Sequence, residues 1–194
     1  MAKKKKKVLS LKGKILIASP RLRDPNFART VVLVVQHDGE GALGFVLNRP
    51  TQVPLSEIWS AISGAGAAPP APAGHAHYGG PVESGARLVI HGHESLSSDQ
   101  VAPVPGVFLT NDVELLRGLM KKGELDRVRF YLGYSGWGAG QLDAEVARGD
   151  WLIAPATAAH VFEMEPGSLW RQAMESLGGV YRLIALMPPN PELN

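Results

Sequence analysis

The chain contains no cysteine, and this absence excludes several kinds of chemistry together. Without a thiol there can be no disulfide, iron–sulfur cluster, thiolate zinc site or cysteine nucleophile. Long hydrophobic runs are missing too, since the longest aliphatic stretches have about five residues, as in Val31–Val35. A membrane-spanning helix needs about 20 such residues. We therefore expect no membrane segment and no membrane partner.

Positive charge is scarce outside one short segment. The 194 residues include 20 Lys and Arg against 18 Asp and Glu, a net charge of +2. Without Lys3–Lys7, the chain has 15 basic and 18 acidic residues, a net charge of −3. Nucleic-acid-binding domains usually carry their positive charge on a folded face. We predict that residues 1–8 form a disordered basic arm, which gives at most weak, non-specific nucleic-acid binding through Lys3–Lys7.

The basic start of the chain does not continue as a secretion signal. Such a signal has an uncharged stretch of about 7–15 residues after its basic region. Lys12 and Lys14 interrupt that stretch here, so we expect a cytoplasmic protein. The body, residues 9–194, is long enough to form one domain with its own core. Its mixture of 45% apolar and 20% charged residues is typical of globular proteins.

Short apolar runs and helical patterns alternate along this body. Strands are predicted over 15–18, 30–36, 42–47, 87–91, 107–110, 128–132 and 151–154. Helices are predicted over 55–62, from the N-cap Thr110 to Lys122, over 141–148 and over 169–177, and residues 181–187 fit either a strand or a helix. This order predicts an α+β or mixed α/β domain around one mixed sheet. Ser63–Ala76 is mostly Gly, Ala and Pro, which predicts a mobile loop within that domain.

The segment Gly133–Gln141 has the most unusual composition in the chain. We predict a glycine-rich turn over Gly133–Gly140, and backbone N–H groups before a helix can bind an anion. Three known motifs do not match this segment. A nucleophile elbow needs Gly where Trp137 stands, and a dinucleotide-binding fingerprint needs Gly where Gln141 stands. A phosphate-binding P-loop needs a lysine, and none is near. The favoured interpretation is a structural turn in which Tyr134 and Trp137 pack, with Trp137 buried. The alternative is a ligand or partner site.

Histidines at alternate positions give a weaker signal. His91 and His93 follow a strand, and His75 and His77 lie in or beside the predicted loop. Alternate residues of a strand share a face, so either pair could share a metal ion. A catalytic metal usually has three protein ligands, and the sequence offers no third. Solvent-facing histidines are therefore favoured, and we predict no metal, no cofactor and no catalytic residue.

Several segments, taken together, resemble the bacterial AlgH/YqgE family. The likeness is carried by Leu16–Val32, Gly41–Gly44, Asn48–Pro50, Tyr78–Val82, Gly133–Leu142, Trp151–Leu152, Leu169–Arg171 and Pro191–Asn194, and it covers roughly residues 9–194. The departures are modest. Ser135 stands where alanine is more usual, and residues 63–76 are unusually rich in Ala and Pro. The lysine arm lies outside the family pattern.

The resemblance implies a single compact α+β domain with a mixed, partly barrel-like sheet surrounded by helices. The family is largely uncharacterised, and some members carry the label of transcriptional regulator. The sequence gives that label little support, because it contains no helix-turn-helix and no basic recognition helix. We expect a non-enzymatic protein with a binding or regulatory role and an unknown protein or small-molecule partner. The alternatives are a hydrolase acting on an anionic substrate at the Gly133–Gly140 turn, and a weak DNA-associated regulator using Lys3–Lys7.

The candidate binding surface consists of turn residues and the aromatic residues beside them. Its members are Asn48, Gly79, Gly80, Pro81, Tyr134, Ser135, Gly136, Trp137, Gly138, Gly140 and Gln141. An enzyme would require these segments to meet in one pocket. If they lie apart on flat surface, the interpretation as an enzyme loses most of its support.

Overall fold

The computed structural model describes residues 9–63, 73–94, 102–122 and 124–187. The predicted basic arm, residues 1–8, and residues 64–72 of the predicted loop lie outside the described residues. The strands are β1 Lys14–Ala18, β2 Val31–Asp38, β3 Gly41–Val46, β4 Pro50–Pro54, β5 His75–Tyr78, β6 Val82–His91, β7 Phe108–Thr110, β8 Val128–Gly138 and β9 Trp151–Pro155. The helices are α1 Leu55–Ser63, α2 Val113–Lys122, α3 Gln141–Arg148, α4 Ala158–Phe162, α5 Pro166–Ser176 and α6 Gly179–Ala185.

These strands form one mixed sheet whose two halves join at β8. The main path runs β4-β5-β8-β3-β2-β1-β9, and β6 pairs with both β7 and β8. The pairing of β5 with β8 is parallel, and the other pairings are antiparallel. The predicted α+β class with a mixed sheet is therefore confirmed. No helix in the described ranges is both long enough and apolar enough to cross a membrane.

The larger hydrophobic core surrounds the central strands β1, β2 and β3. Val31–Val35 are at most 3% exposed, which explains why this run is continuously apolar instead of alternating. Helix α5 covers these strands with an apolar stripe that includes Trp170 and Met174. The indole Nε1 of Trp170 donates a hydrogen bond of 2.8 Å to the carbonyl oxygen of Ala18. This bond and the stripe fix α5 on the sheet.

A smaller core lies between α1, α2 and the other half of the sheet. Its buried members are Ile58, Ala76, Val89, Leu116, Leu119, Val128 and Phe130. Residues of β8 belong to both cores, since Val128 and Phe130 lie in the smaller and Tyr131 and Trp137 in the larger. This strand therefore connects the two halves of the molecule.

The prediction of a glycine-rich turn over Gly133–Gly140 is wrong. The chain continues as strand β8 through Gly138, and it turns only at Ala139 and Gly140 before α3. Residues 135–138 pair with residues 41–44 of β3, so this backbone belongs to the sheet and does not form an anion-binding loop. The hydrolase alternative loses the turn on which it depends. The glycines suggest a turn in the sequence, but within a strand they mark a close approach of another backbone.

That close approach comes from Gly79 and Gly80, which cross β8 between β5 and β6. A Cβ atom on Gly79 would overlap the carbonyl oxygen of Gly133, and one on Gly80 would overlap the backbone of Tyr134 and Ser135. The N–H of Gly79 donates to the carbonyl oxygen of Leu132 at 2.9 Å. Only glycine lets these two backbones lie this close together.

Helix α2 has a different cap from the one predicted. Oδ1 of Asp112 accepts hydrogen bonds from the backbone N–H groups of Glu114 and Leu115, at 2.9 and 3.2 Å. The sequence predicts Thr110 in this role, but the hydroxyl oxygen of Thr110 accepts a hydrogen bond from the N–H of Asp112 at 3.0 Å. Aspartate precedes the first helical residue directly, so it reaches the free N–H groups that threonine does not.

The edges of the predicted loop also differ. Ser63 is the last residue of α1 and His75 the first of β5, so the predicted span 63–76 begins in a helix and ends in a strand. The sequence prediction contains neither strands β4 and β5 nor helix α4. The choice left open over residues 181–187 is decided for a helix, since α6 ends at Ala185. Large apolar side chains are exposed on and just after α6: Val180, Leu183, Leu186 and Met187.

Replacing Gly79 by alanine tests the close approach. We expect Gly79→Ala to lower the free energy of unfolding by about 3 kcal/mol or more, because its methyl group must displace the backbone of β8. Gly118→Ala is the matched control, since nothing lies within 4 Å of a Cβ there and alanine favours the α2 helix by up to about 1 kcal/mol. Urea denaturation of both variants provides the measurement. Equal stability of Gly79→Ala and the parent would contradict this packing.

Candidate functional site

The side-chain amide of Asn48 forms hydrogen bonds to the backbone on both sides of residue 30. Its Oδ1 accepts a hydrogen bond of 2.9 Å from the N–H of Val31, and its Nδ2 donates one of 2.9 Å to the carbonyl oxygen of Arg29. Arg29 has a positive φ of 55°, which is uncommon for a residue other than glycine. The amide of Asn48 therefore holds a strained turn at the start of β2, and both of its ends are occupied.

Ser135 is fully buried beneath the Gly79–Gly80 crossing. The side-chain hydroxyl donates a hydrogen bond of 3.0 Å to the carbonyl oxygen of Gly79, and the residue is 0% exposed. The N–H of Val46 donates to the same carbonyl oxygen at 3.0 Å. The hydroxyl thus joins three segments of the sheet and is not accessible from the surface.

Trp137 is 6% exposed, so its predicted burial is confirmed. Its indole Nε1 donates a hydrogen bond of 2.9 Å to Oε2 of Glu145, and Trp151 donates one of 2.9 Å to the same oxygen. Gln141 donates to the other oxygen, Oε1, at 2.9 Å. Phe27 stacks on Trp137 with a centroid distance of 6.1 Å and meets Trp151 edge-on at 5.5 Å. We call these five residues the indole–carboxylate cluster.

Glu145 accepts three of the hydrogen bonds in this cluster, yet it is not among the residues that the sequence predicts for the site. Helical spacing places it one turn after Gln141 on α3, but no local pattern indicates that two indoles from different strands converge on it. Of the predicted surface, Pro81, Gly136, Gly138, Gly140 and Gln141 are exposed, Tyr134 and Asn48 are partly exposed, and Gly79, Gly80, Ser135 and Trp137 are buried. The predicted surface is therefore divided, with four residues buried in the sheet and five exposed.

A well-formed opening lies elsewhere, on the β5 side of β8. It is a cleft of about 520 Å³ between β5, the start of β8, the end of α4 and the connection to α5. Its apolar wall includes Leu55, Leu125, Phe130 and Met164. Its polar or charged side chains are His75, His77, Arg129, Glu163 and Glu165. The eleven residues of the predicted surface do not line it.

Among the side chains of the cleft, His77 has the pKa that burial shifts most. Strand β5 pairs with β8 so that His77 stands beside Tyr131, with ring centroids 5.5 Å apart. Its Nδ1 is buried and has no hydrogen-bond partner among the described residues. Burial, and then the positive charge of Arg129, lowers the pKa of His77 to about 4. The imidazole is therefore neutral near pH 7.

Arg129 brings an unpaired positive charge to the same cleft. Its guanidinium donates to the carbonyl oxygen of Phe162 at 2.7 Å, and to those of Val128 and Asp126 at 3.1 and 3.2 Å. Phe162 ends α4, and a cation there complements the free carbonyl groups of a helix C-terminus. Within the part of the chain that the structure describes, no carboxylate lies within ion-pair distance of Arg129.

The histidine pairs differ in exposure from the sequence prediction. His75 is exposed, as predicted, but His91 is completely buried. The ring of His91 stacks on Phe108 with a centroid distance of 5.6 Å, and its Nδ1 accepts from the N–H of His93 at 3.2 Å. Solvent-facing histidines were thus a wrong expectation for His91. Across the described ranges, no group of three or more His, Asp or Glu side chains is placed to hold a metal ion.

The fold and the cleft together define a compact α+β protein built on one mixed sheet, with a glycine-rich strand in its interior and a partly apolar cleft at its side. A family model described as AlgH-like matches residues 15–182. The chain belongs to this AlgH-like family, and the resemblance seen in the sequence is confirmed.

Individual relatives agree with this assignment. A UPF0301 protein from Chlorobaculum tepidum is 40% identical over 184 residues, covering 94% of this chain and 95% of that protein. Another, from Streptomyces avermitilis, is 37% identical over 195 residues, covering 96% and 97%. The solution structure of the AlgH protein from Pseudomonas aeruginosa matches with a TM-score of 0.74 and 30% identity, covering 97% of this chain and 100% of that chain. A crystal structure from Corynebacterium diphtheriae, with a TM-score of 0.72 and 22% identity, covers 92% and 93% and shows the shared fold.

Removing the carboxylate of Glu145 tests the indole–carboxylate cluster. We expect Glu145→Ala to lower the free energy of unfolding by about 2 kcal/mol or more, because two indole N–H groups lose their acceptor. Glu175→Ala is the control, since Glu175 makes only a partly exposed ion pair of 3.7 Å with Arg171 and such pairs contribute about 0–1 kcal/mol. Chemical denaturation followed by tryptophan fluorescence measures both. If both variants lose the same free energy of unfolding, the hydrogen bonds of the cluster stabilise the fold no more than an exposed ion pair does.

The lowered pKa of His77 should make the stability of the fold depend on pH. Its pKa is about 4 in the folded chain and about 6.5 in an unfolded one, so the unfolded chain binds more protons between these values. The contribution of His77 to the free energy of unfolding should therefore be fully present above about pH 6.5, and the free energy of unfolding should fall by about 3 kcal/mol as the pH drops to 4. In His77→Gln this part of the dependence should vanish, whereas the exposed control His75→Gln should keep it. Urea midpoints at pH 7 and pH 4.5 decide the matter, and identical pH profiles for His77→Gln and the parent would contradict the assignment.

Proposed function

We propose that the protein is a cytoplasmic, non-enzymatic binding protein that holds a small organic ligand in the cleft beside β5. The observation that carries this proposal is the cleft itself. Its volume of about 520 Å³ lies within the roughly 300–1,000 Å³ typical of ligand sites. Its lining combines apolar side chains with converging polar and charged groups, and such groups are what fix a ligand's orientation in a binding site.

The side chains of the cleft favour binding over chemistry. Among the described residues that line it, none carries a hydroxyl or a thiol that could act as a nucleophile. Ser135 of the predicted surface is buried, and its hydroxyl is occupied by the carbonyl oxygen of Gly79. A regulatory role through nucleic acid stays a prediction that rests on Lys3–Lys7, outside the described residues.

The exposed end of β8 is a weaker candidate for the ligand site. The amide of Gln141 is the main polar side chain there, and both of its ends bond within the protein. Its Oε1 accepts from the N–H of Gly138 at 3.1 Å, and its Nε2 donates to Glu145 at 2.9 Å. A ligand would have to break these bonds, whereas the cleft offers polar groups that are not paired.

Mapping of amide chemical shifts tests the proposed function. The isotope-labelled full chain is titrated with three probes of equal length, hexanoate, 1-hexanol and hexylamine, at millimolar concentrations. We expect at least one probe to shift the amides of residues 74–78, 128–130 and 162–165. Met164→Trp should reduce these shifts by filling the cleft, and Met187→Trp, the same change at an exposed site on the α6 side, should leave them intact.

Two results would contradict the proposed function. One is the absence of any shift at the cleft with all three probes. The other is a set of shifts centred on residues 136–141, which would move the site to the exposed end of β8.

A further inference from the structure

The charges around the cleft indicate the class of ligand, on the assumption that the proposed function is correct. We propose that the ligand is a small amphipathic oxyanion, whose anionic group pairs with Arg129 and whose apolar body lies along the cleft wall.

The guanidinium of Arg129 is incompletely paired. A guanidinium has five N–H donors, and the structure gives this one three hydrogen bonds, all to neutral carbonyl oxygens. No carboxylate in the described ranges forms an ion pair with it. A partly buried charge without a counter-charge is unfavourable. An oxyanion would supply that counter-charge and accept the remaining N–H groups, in the forked geometry that arginine favours.

A second arginine adds to the positive potential at this end of the cleft. Arg127 lies in the turn just before β8 and Arg129 is the second residue of β8, and both side chains reach Phe162. Their guanidinium carbons lie 5.1 and 5.8 Å from the ring centroid of Phe162. Nε of Arg127 is buried and has no hydrogen-bond partner among the described residues. Two cations without described carboxylate partners therefore flank one aromatic ring beside the cleft.

The apolar wall defines the other half of the ligand. Leu55, Leu125 and Phe130 come from α1, the loop before β8 and β8 itself, and they line the same cleft as Arg129. A purely inorganic anion would leave this wall in contact with water. Each methylene that a ligand buries against it should tighten binding by about fourfold. The cleft thus fits an anion that carries a hydrocarbon or aromatic body.

Two acidic side chains at the cleft act against an anion and offer a test. Glu163 and Glu165 are exposed on the connection between α4 and α5. Their charges are solvated, and salt screens exposed charges over about 8–10 Å, whereas Arg129 is partly buried and lies within reach of direct hydrogen bonds. Removing one of these carboxylates should strengthen the binding of an anion and weaken that of a cation.

The titrations with hexanoate, 1-hexanol and hexylamine decide between ligand classes. We expect hexanoate to bind at least about tenfold more tightly than either of the others, as hydrogen bonds to a charged group allow. Arg129→Gln should remove this preference, and Arg129→Lys should keep part of it. The exposed control Arg171→Gln should change nothing. Because Arg129 also holds α4, each variant is compared with the parent by its urea midpoint and its amide spectrum outside the cleft.

Glu163→Gln provides a variant whose expected effect is a gain in affinity, which loss of folding cannot imitate. At low salt it should bind hexanoate about two- to threefold more tightly, bind hexylamine more weakly, and bind 1-hexanol as the parent does. Binding of 1-hexanol or hexylamine as tight as that of hexanoate would overturn the oxyanion inference and leave the proposed binding function standing. An unchanged hexanoate affinity in both Arg129→Gln and Glu163→Gln would overturn it too. Failure of all three probes to reach the cleft would instead defeat the proposed function.

Discussion

The close contact between the Gly79–Gly80 crossing and strand β8 is the constraint on which the rest of the structure depends. At this contact two segments of backbone lie so near that a Cβ atom on either glycine would overlap the backbone of β8. The hydroxyl of Ser135 closes it with a hydrogen bond to Gly79. Strand β8 pairs with β3, β5 and β6, so a shift at this contact would disturb both halves of the sheet.

Strand β8 packs against α3 near its C-terminal end and lines the cleft near its N-terminal end. Towards its end, Trp137 joins Trp151 and Glu145 in the indole–carboxylate cluster, which ties α3 to two strands. Near its start, Arg129 reaches across to Phe162 and fixes the end of α4. The parallel pairing with β5 then sets His77 beside Tyr131. A rigid central strand thus positions the charged and the neutral side chains of the cleft.

Much of the fold could be predicted from local patterns, and the parts that could not depend on long-range contacts. The apolar runs of β1 and β2 identify central strands, since continuous burial needs continuous apolarity. The glycines of residues 133–140 suggest a turn, because their local signal is identical whether they bend the chain or admit a neighbouring backbone. That neighbour, Gly79, is more than 50 residues away in the sequence. The cleft was missed for a similar reason, because His77 beside a Gly, Ala and Pro-rich segment looks like part of a loop until β5 pairs with β8.

Amide hydrogen exchange along β8 tests this account most directly. If residues 134–137 form the strand described, the amides among them that face β3 should exchange far more slowly than a turn amide, approaching the rates of Val32 and Val34 in the central strand β2. Gly39, exposed in the hairpin turn between β2 and β3, provides the fast reference within the same chain. Exchange of residues 134–137 at a rate close to that of Gly39 would show a flexible turn, and would contradict the central role of β8.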